Sequence, residues 1–162
     1  MKRLAIILFV FTAYALEGHA QTIAENAIGL RLGDSDGFGT EISYQRALGD
    51  NNRLEVDFGW RNSKNFDAFR LTGLYQWVWN LDGGFNWYVG AGGGLAQVDF
   101  DDNFDRFDDD SETYLYAAGD IGIEYNFDFP LLLSLDFRPE IGFGDYNDDV
   151  DFDIALGIRY QF

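Results

Sequence analysis

The sequence predicts an all-β fold in which eight antiparallel strands close into an up-and-down barrel behind an N-terminal signal peptide. Three observations predict this fold. Apolar and polar residues alternate with a period of two from Ala24 onward, which is the spacing of β-strands. Short clusters of Gly, Asp and Asn separate the alternating runs, and every second cluster is a tight turn. The 162 residues include Phe 16, Tyr 9 and Trp 4, enough to form a core despite a net charge of -17.

The N-terminal segment predicts export. Two basic residues precede an apolar run from Leu4 to Leu16, and the small-residue site Gly18-His19-Ala20 follows it. These are the three parts of a secretory signal peptide, and the run is shorter than the roughly 20 apolar residues of a membrane-spanning helix. We therefore expect residues 1–20 to be a signal peptide and residues 21–162 to be the barrel domain.

The composition excludes several classes of function. Removal of the signal peptide would remove His19, the only histidine, and the sequence contains no cysteine. A chain with neither residue lacks the commonest general base, the usual activator of a serine nucleophile and the commonest zinc ligands. The 28 Asp and Glu residues, against 11 Lys and Arg, would repel nucleic acid. We expect no enzymatic activity, no resident cofactor and no nucleic-acid partner.

The first four strands are alternating runs that each end in turn-forming residues. Gly, Asp, Asn and Ser dominate the links between them, because these residues favour turns over strand interiors. The predicted strands, with the links that end them, are 24–33 before Asp34–Gly37, 38–48 before Gly49–Asn52, 53–62 before Asn62–Asn65, and 66–81 before Asp82–Gly84.

The last four strands follow the same rule, but two of their links are long. Pro130 lies in a turn, where a residue without a backbone N–H breaks no strand ladder. The predicted strands and links are 85–97 before Asp99–Glu112, 113–127 before Asp128–Pro130, 131–143 before Gly144–Asp151, and 152–162 at the end of the sequence.

Dividing each strand by parity gives two faces of different chemistry. One face is predominantly apolar, and its charges, Arg46 and Asp67, both lie near strand ends. The other face carries small residues together with, between Arg31 and Arg159, six basic and eight acidic side chains. These charged residues are Arg31, Glu41, Arg53, Glu55, Asp57, Arg61, Arg70, Asp120, Glu124, Asp136, Arg138, Glu140, Asp153 and Arg159.

Alternation alone does not say which face points outward, so several architectures compete. A soluble, lipocalin-like secreted barrel that binds a ligand would put the apolar face inside, and a transmembrane barrel would put it outside. Nearly balanced charges suit a crowded interior, and small residues make room inside a narrow eight-stranded lumen. We therefore predict an eight-stranded antiparallel transmembrane β-barrel, with the lipocalin-like barrel and a secreted β-sandwich as alternatives.

Aromatic residues of the apolar face gather at one end of the predicted strands. If the termini and the tight turns share that end, these residues form a belt like the aromatic girdle of a membrane interface. The residues that we assign to this girdle are Tyr75, Trp77, Trp79, Trp87 and Tyr125.

The charged face predicts a network inside the barrel. An eight-stranded lumen is just wide enough for side chains, so we expect a stable polar core that fills it. A small ion-conducting, porin-like channel is the alternative. The residues that we assign to this network are Arg70, Asp120, Glu124, Asp136, Arg138, Glu140 and Arg159.

The first, third, fifth and seventh links hold 14 of the 27 acidic residues outside the signal peptide. Clustered carboxylates suit Ca²⁺, and the candidate ligands are Asp99, Asp101, Asp145 and Asp149. The match to an EF-hand loop fails, because Val150 stands where that loop requires glycine. We favour solvated, mutually repelling loops that could present a surface to an extracellular partner, with Ca²⁺ binding as the alternative.

The last strand resembles a known assembly motif. Ile154-Ala-Leu156-Gly-Ile158-Arg-Tyr160-Gln-Phe162 resembles the C-terminal signal that the bacterial assembly machinery reads on outer-membrane barrels, with Phe162, Tyr160 and Ile158 at the signal positions. The stretches Trp87-Tyr-Val-Gly-Ala-Gly-Gly-Gly-Leu-Ala96 and Leu135-Asp-Phe-Arg-Pro-Glu140 resemble strands of the small outer-membrane barrels related to OmpX and the OmpA transmembrane domain, which belong to the porin-like families. The OmpX-like form is the closer resemblance.

This resemblance implies a location and a set of partners. It implies a barrel in a bacterial outer membrane, with periplasmic termini, surrounding outer-membrane lipid, and contact with the barrel-assembly machinery during biogenesis. It also implies a structural or surface-interaction role. Small barrels that act as lipid A deacylases or palmitoyltransferases depend on a catalytic histidine, so the resemblance carries no catalytic residue to this sequence.

Overall fold

The computed structural model describes residues 23–33, 39–62, 66–100, 111–143 and 150–162. The predicted signal peptide at 1–20 lies outside these residues. Within them, no helix is both long enough and apolar enough to cross a membrane.

Eight antiparallel strands form one closed barrel. Each strand pairs with its neighbours in the sequence, and the first pairs with the last. This confirms the predicted all-β, up-and-down barrel and excludes the β-sandwich. The strands are β1 Asn26–Leu32, β2 Thr40–Ala47, β3 Asn52–Asn62, β4 Phe66–Asp82, β5 Phe85–Phe100, β6 Ser111–Asn126, β7 Leu131–Phe143 and β8 Val150–Gln161.

The hairpin of β5 and β6 is longer than the sequence predicts. The predicted link began at Asp99, whereas β5 continues to Phe100 and Asp99 pairs with Ser111 of β6. Backbone hydrogen bonds continue a ladder whatever the side chains are, so an acidic composition does not end a strand whose partner is already in register.

The two ends of the barrel differ in their connections. Short turns at 48–51, 83–84 and 127–130 lie beside the residues that begin β1 and end β8, and we call this side the terminal end. The opposite side is the loop end. Gly83 has a φ of 55°, a left-handed conformation that favours glycine in the turn between β4 and β5.

Pro139 lies within the ladder between β6 and β7. Pairing passes from Ala118↔Glu140 to Ile121↔Phe137, and Pro139 lies in this interval, where it has no N–H to donate. Gly119 opposes it, and a Cβ there would lie 3.2 Å from Pro139 Cγ. The ladder therefore accommodates the proline ring through a glycine on the adjacent strand.

The barrel turns its apolar face outward and its charged face inward. Trp60 is 69% exposed and Ile154 is 60% exposed, whereas Arg138 and Arg159 are 0% exposed. A lipocalin-like barrel requires the reverse arrangement, so that alternative is wrong. The arrangement is that of a barrel whose outer surface faces lipid.

Candidate functional site

The lumen near the terminal end is organised around Arg53. Its Nε donates a hydrogen bond to Gln76 Oε1 (2.6 Å), and its Nη1 lies 2.7 Å from Glu124 Oε2. Asn86 Nδ2 donates to the other oxygen of Glu124 (3.0 Å). The Arg53 guanidinium also lies over the ring of Tyr88, 4.7 Å from its centroid. These contacts join β3 to β6 across the lumen.

Arg159 of β8 occupies the next position toward the middle of the barrel. Its Nε donates to Ser43 Oγ (2.9 Å), its Nη1 donates to Ser134 Oγ (2.8 Å), and its Nη2 donates to Glu55 Oε2 (3.1 Å). All three nitrogens of the guanidinium therefore have a partner inside the barrel. A cation can remain buried when its hydrogen bonds are satisfied in this way.

Arg138 of β7 crosses the centre of the lumen to β3. Its Nη2 donates to Asp57 Oδ2 (2.7 Å) and to Glu55 Oε1 (3.0 Å). Its Nη1 lies 3.7 Å from Glu41 Oε2. Glu55 thus lies between two arginines, because Arg159 binds its other oxygen.

Arg31 and Arg70 organise the half of the lumen nearer the loop end. Arg31 donates from Nη2 to Asp136 Oδ1 (2.6 Å) and from Nη1 to Asp153 Oδ2 (2.6 Å) and Glu41 Oε2 (3.0 Å). Arg70 pairs with Glu140, and its guanidinium lies 4.7 Å from the centroid of the Tyr116 ring.

Asp120 differs from the other inward carboxylates. Gln76 Nε2 donates to its Oδ2, whereas its Oδ1 has no hydrogen-bond partner among the described residues. Asp120 forms no ion pair within the described part of the chain, whereas seven other inward carboxylates each have an arginine partner. These seven are Glu41, Glu55, Asp57, Glu124, Asp136, Glu140 and Asp153.

The structure therefore brings together all seven residues that the sequence assigned to an interior network. Six further charged residues join them, and the sequence had placed these on the same face without assigning them to the network. Arg61 has the inward parity, but it is exposed at the loop end, so five of the described arginines face the lumen. The six further residues are Arg31, Glu41, Arg53, Glu55, Asp57 and Asp153.

Sequence reasoning placed small residues on the inward face but missed the two tyrosines that occupy the space beside two of its glycines. A Cβ on Gly122 would lie 2.4 Å from Tyr88 Cζ, and one on Gly94 would lie 2.3 Å from the Tyr116 hydroxyl. Each tyrosine is paired in register with its glycine on the adjacent strand. A signal was present in the sequence, since both tyrosines share the parity of the charged residues.

The lumen also contains large apolar side chains. Leu74, Val78 and Leu132 are 2% exposed or less, and all three have the inward parity. The sequence prediction described the inward face as charged and small, so these residues are an addition to it. These apolar side chains share the lumen with the ion pairs described above.

The aromatic residues assigned to a girdle lie on the outer surface near the terminal end. Trp79 stacks on Trp87 with ring centroids 4.7 Å apart, and this pair belongs to neighbouring strands. Tyr75 and Trp77 contact each other edge to face at 4.9 Å. Tyr125 continues the belt toward the turn at 127–130.

The residues of the predicted assembly signal lie in the last part of β8 and directly after it. Tyr160 and Phe162 are more than half exposed and stack on each other at 6.2 Å, and Ile158 precedes them on the same outward face. The backbone N–H of Phe162 donates to the Asn26 carbonyl (2.9 Å).

The predicted Ca²⁺ ligands lie outside the described positions. Asp101, Asp145 and Asp149 fall in the links at 101–110 and 144–149, and Asp99 is described only in its backbone. Among the side chains that the structure does describe, no group of three or more acidic residues could hold a metal ion.

Comparison with known proteins identifies the fold. The N-terminal barrel domain of Pseudomonas aeruginosa OprF is 16% identical, with a TM-score of 0.66 over 85% of this chain and 96% of that domain. The fold is that of the small outer-membrane β-barrels. Neisserial surface protein A is 16% identical, with a TM-score of 0.57 over 85% of this chain and 94% of that chain.

A third similar structure is Ail, the attachment invasion locus protein of Yersinia pestis. It is 16% identical, with a TM-score of 0.56 over 85% of this chain and 96% of that chain. No protein-family model matches the sequence, and no curated protein matches it either. At this level of identity the likeness establishes the fold, which is an eight-stranded transmembrane β-barrel.

Proposed function

We propose that this chain is an integral protein of a bacterial outer membrane with a structural or surface-interaction role. One observation carries the proposal: large apolar side chains cover the outside of a closed barrel, and thirteen of the described charged side chains lie inside it. Such a surface is stable in lipid, because the closed ladder satisfies the backbone and the outward residues are apolar.

The proposed mechanism assigns no transport to the lumen. Arginines from five strands reach carboxylates on strands across the barrel, and Leu74, Val78 and Leu132 occupy further space. This arrangement supports a lumen closed by side chains. A bilayer conductance measurement tests it, and well-defined single-channel steps from the wild-type chain would overturn it.

We further propose that the terminal end faces the periplasm. Residues 1–20 would direct export, and Phe162, Tyr160 and Ile158 would be read by the barrel-assembly machinery. The aromatic belt at the terminal end supports this orientation, because it would then lie at the periplasmic interface of the membrane. An epitope tag inserted within residues 101–110 should be detected on intact cells, and detection only after cell lysis would contradict the orientation.

The acidic links at the loop end would then face the cell exterior. Ail was solved in complex with sucrose octasulfate, an analogue of heparin and thus a polyanion. We infer a different partner for this chain, because the first, third, fifth and seventh links between its strands hold 14 acidic residues, which would repel a polyanion. A cationic surface or dissolved Ca²⁺ fits these links better.

Deletion of residues 101–110 tests the role of the links. We expect the deleted chain to fold and to lose binding to a cationic surface or to Ca²⁺. Unchanged folding together with unchanged binding would contradict a role for this loop. No catalytic function is proposed, because the mature sequence has neither histidine nor cysteine.

The first experiment is a gel-mobility comparison of the refolded chain, boiled and unboiled, together with circular dichroism. We expect a β spectrum and a shift that depends on boiling in detergent micelles. Folding to a stable monomer in plain buffer, without a shift, would refute a membrane barrel.

A further inference from the structure

The seam between the first and last strands is the shortest ladder around the described barrel. β1 has seven residues and limits the seam, whereas β4 has 17. The seam runs from Ala27↔Gln161 to Leu32↔Leu156. A barrel has no free strand edges only while this seam is closed, because opening it exposes one unpaired edge on each strand.

Arg31 reaches across the seam from β1. Its Nη1 binds Asp153 of β8 at 2.6 Å, and its Nη2 binds Asp136 of β7 at 2.6 Å. Its remaining partner, Glu41, lies on β2 and so on the same side of the seam. Opening the seam would therefore remove two of the three carboxylates that bind Arg31.

Arg159 reaches across the seam in the opposite direction. From β8 it passes β1 and binds Ser43 of β2 at 2.9 Å and Glu55 of β3 at 3.1 Å. Only Ser134, at 2.8 Å on β7, lies on its own side of the seam. Among these partners only Glu55 is charged, and opening the seam would separate Glu55 from Arg159.

Gly29 allows the two strands to approach closely at this position. It pairs with Arg159, and a Cβ on Gly29 would lie 1.9 Å from the Ile158 carbonyl oxygen and 2.6 Å from Arg159 Cα. Any larger residue would push the backbones of β1 and β8 apart. This glycine thus lies opposite the base of an arginine that crosses the seam.

We propose that Arg31 and Arg159 form a lock on the β1–β8 seam, in addition to their part in filling the lumen. Arg31 crosses the seam from β1 and Arg159 crosses it from β8. The seam therefore cannot open without separating both buried guanidinium groups from carboxylates that they bind. Separation of this kind is costly, because a buried charge that loses its partner keeps its desolvation penalty. The lock therefore makes closure of the seam favourable beyond its short backbone ladder.

Two serines provide a matched test, because both are buried and both accept a hydrogen bond from Arg159. Ser43→Ala removes a bond that crosses the seam, whereas Ser134→Ala removes one that does not. Hydrogen–deuterium exchange of the folded chain in lipid vesicles reports opening at residues 26–32. We expect exchange there to be about tenfold faster or more in S43A, given the worth of a hydrogen bond to a charged group, and close to wild type in S134A. Equal effects of the two variants would overturn the lock.

A cross-linked background shows whether the change comes from the seam itself. Leu30 and Ile158 pair directly across the seam on the outward face, and the sequence has no other cysteine to interfere. In the oxidised L30C/I158C chain, we expect S43A to exchange at the rate of its cross-linked parent. Faster exchange that persists in the cross-linked chain would show that S43A acts elsewhere and would refute the lock.

Asp153→Asn tests the other arm in the same way. It weakens the pair between Arg31 and β8, and the control Glu124→Gln weakens a pair between β3 and β6 that does not cross the seam. We expect D153N alone to raise exchange at residues 26–32. An equal rise in E124Q would indicate that the ion pairs stabilise the barrel as a whole and not the seam.

Discussion

Replacement of Arg138 by methionine tests whether the lumen is closed to water. Arg138 is fully buried, and its Nη2 lies 2.7 Å from Asp57 Oδ2 and 3.0 Å from Glu55 Oε1. Glu55 keeps Arg159 in the variant, but in the described structure Asp57 has no second arginine within ion-pair distance. Methionine keeps an unbranched side chain but removes the guanidinium, so the main loss in the variant is that of the ion pair.

The expected cost depends on the environment of this pair. Breaking a buried pair by removing one partner costs about 3–5 kcal/mol of folding free energy, because the other charge stays buried. The same change in a water-filled lumen would cost at most about 1 kcal/mol. We therefore expect R138M to lower the free energy of unfolding by about 3–5 kcal/mol. The chain offers a matched control in Arg46→Met, because Arg46 pairs with Glu25 at 3.0 Å on the exposed outer rim.

The assay is urea unfolding of the barrel in lipid vesicles, followed by tryptophan fluorescence. We expect R46M to stay within about 1 kcal/mol of wild type. The double variant R138M/D57L should recover part of the loss, since it removes both partners of the pair. A cost for R138M no larger than that for R46M would refute the closed lumen and would favour a hydrated path through the barrel.

Three further predictions test the outer face, the packing of the lumen and assembly. Ile121→Arg puts a charge on the outward face near the middle of β6 and should lower the free energy of unfolding in vesicles by about 2–4 kcal/mol, while Ile121→Val stays near wild type. An Ile121→Arg variant as stable as wild type would contradict lipid contact. Gly122→Ala brings a Cβ within 2.4 Å of Tyr88 Cζ and should lower the free energy of unfolding by about 1–3 kcal/mol. The double variant G122A/Y88L should recover part of this loss, as a double-mutant cycle would measure. Phe162→Ala should reduce the heat-modifiable barrel recovered from cells but not the refolding yield in micelles; equal yields in cells would argue against an assembly signal.

The strand order and the orientation of the faces could be predicted from the sequence, because both depend on local pattern. Each strand alternates over enough residues for parity to be unambiguous, so Arg138 and Arg159 were placed on one face and Trp77 on the other. A shift of one residue would move a whole strand's charges into lipid. The alternating pattern therefore determines which side chains of each strand point into the lumen.

The partners within the lumen could not be predicted in this way. Arg138 binds Asp57, 81 residues away, because the closed sheet brings β7 opposite β3. The parity of the two residues predicts that both side chains point inward. It does not predict how far along the barrel axis each one lies or which strand carries its partner. The absence of an arginine partner for Asp120 within the described residues also depends on these heights. The tyrosines facing Gly94 and Gly122 could have been found by searching adjacent strands for large and small residues in register.

The cross-lumen pairs have a consequence for the order of folding. Arg31, Arg53, Arg70, Arg138 and Arg159 each bind a carboxylate on a strand that is not their sequence neighbour. A hairpin such as β4–β5 contains none of these described pairs, so the polar core cannot form before the sheet closes. An open sheet would instead leave charged side chains without partners, at a cost that closure removes.

Closure of the sheet and formation of the ion pairs should therefore occur together, and the urea transitions followed by tryptophan fluorescence and by gel mobility should coincide. A gel transition that precedes the fluorescence transition would indicate a populated open sheet and would contradict this coupling.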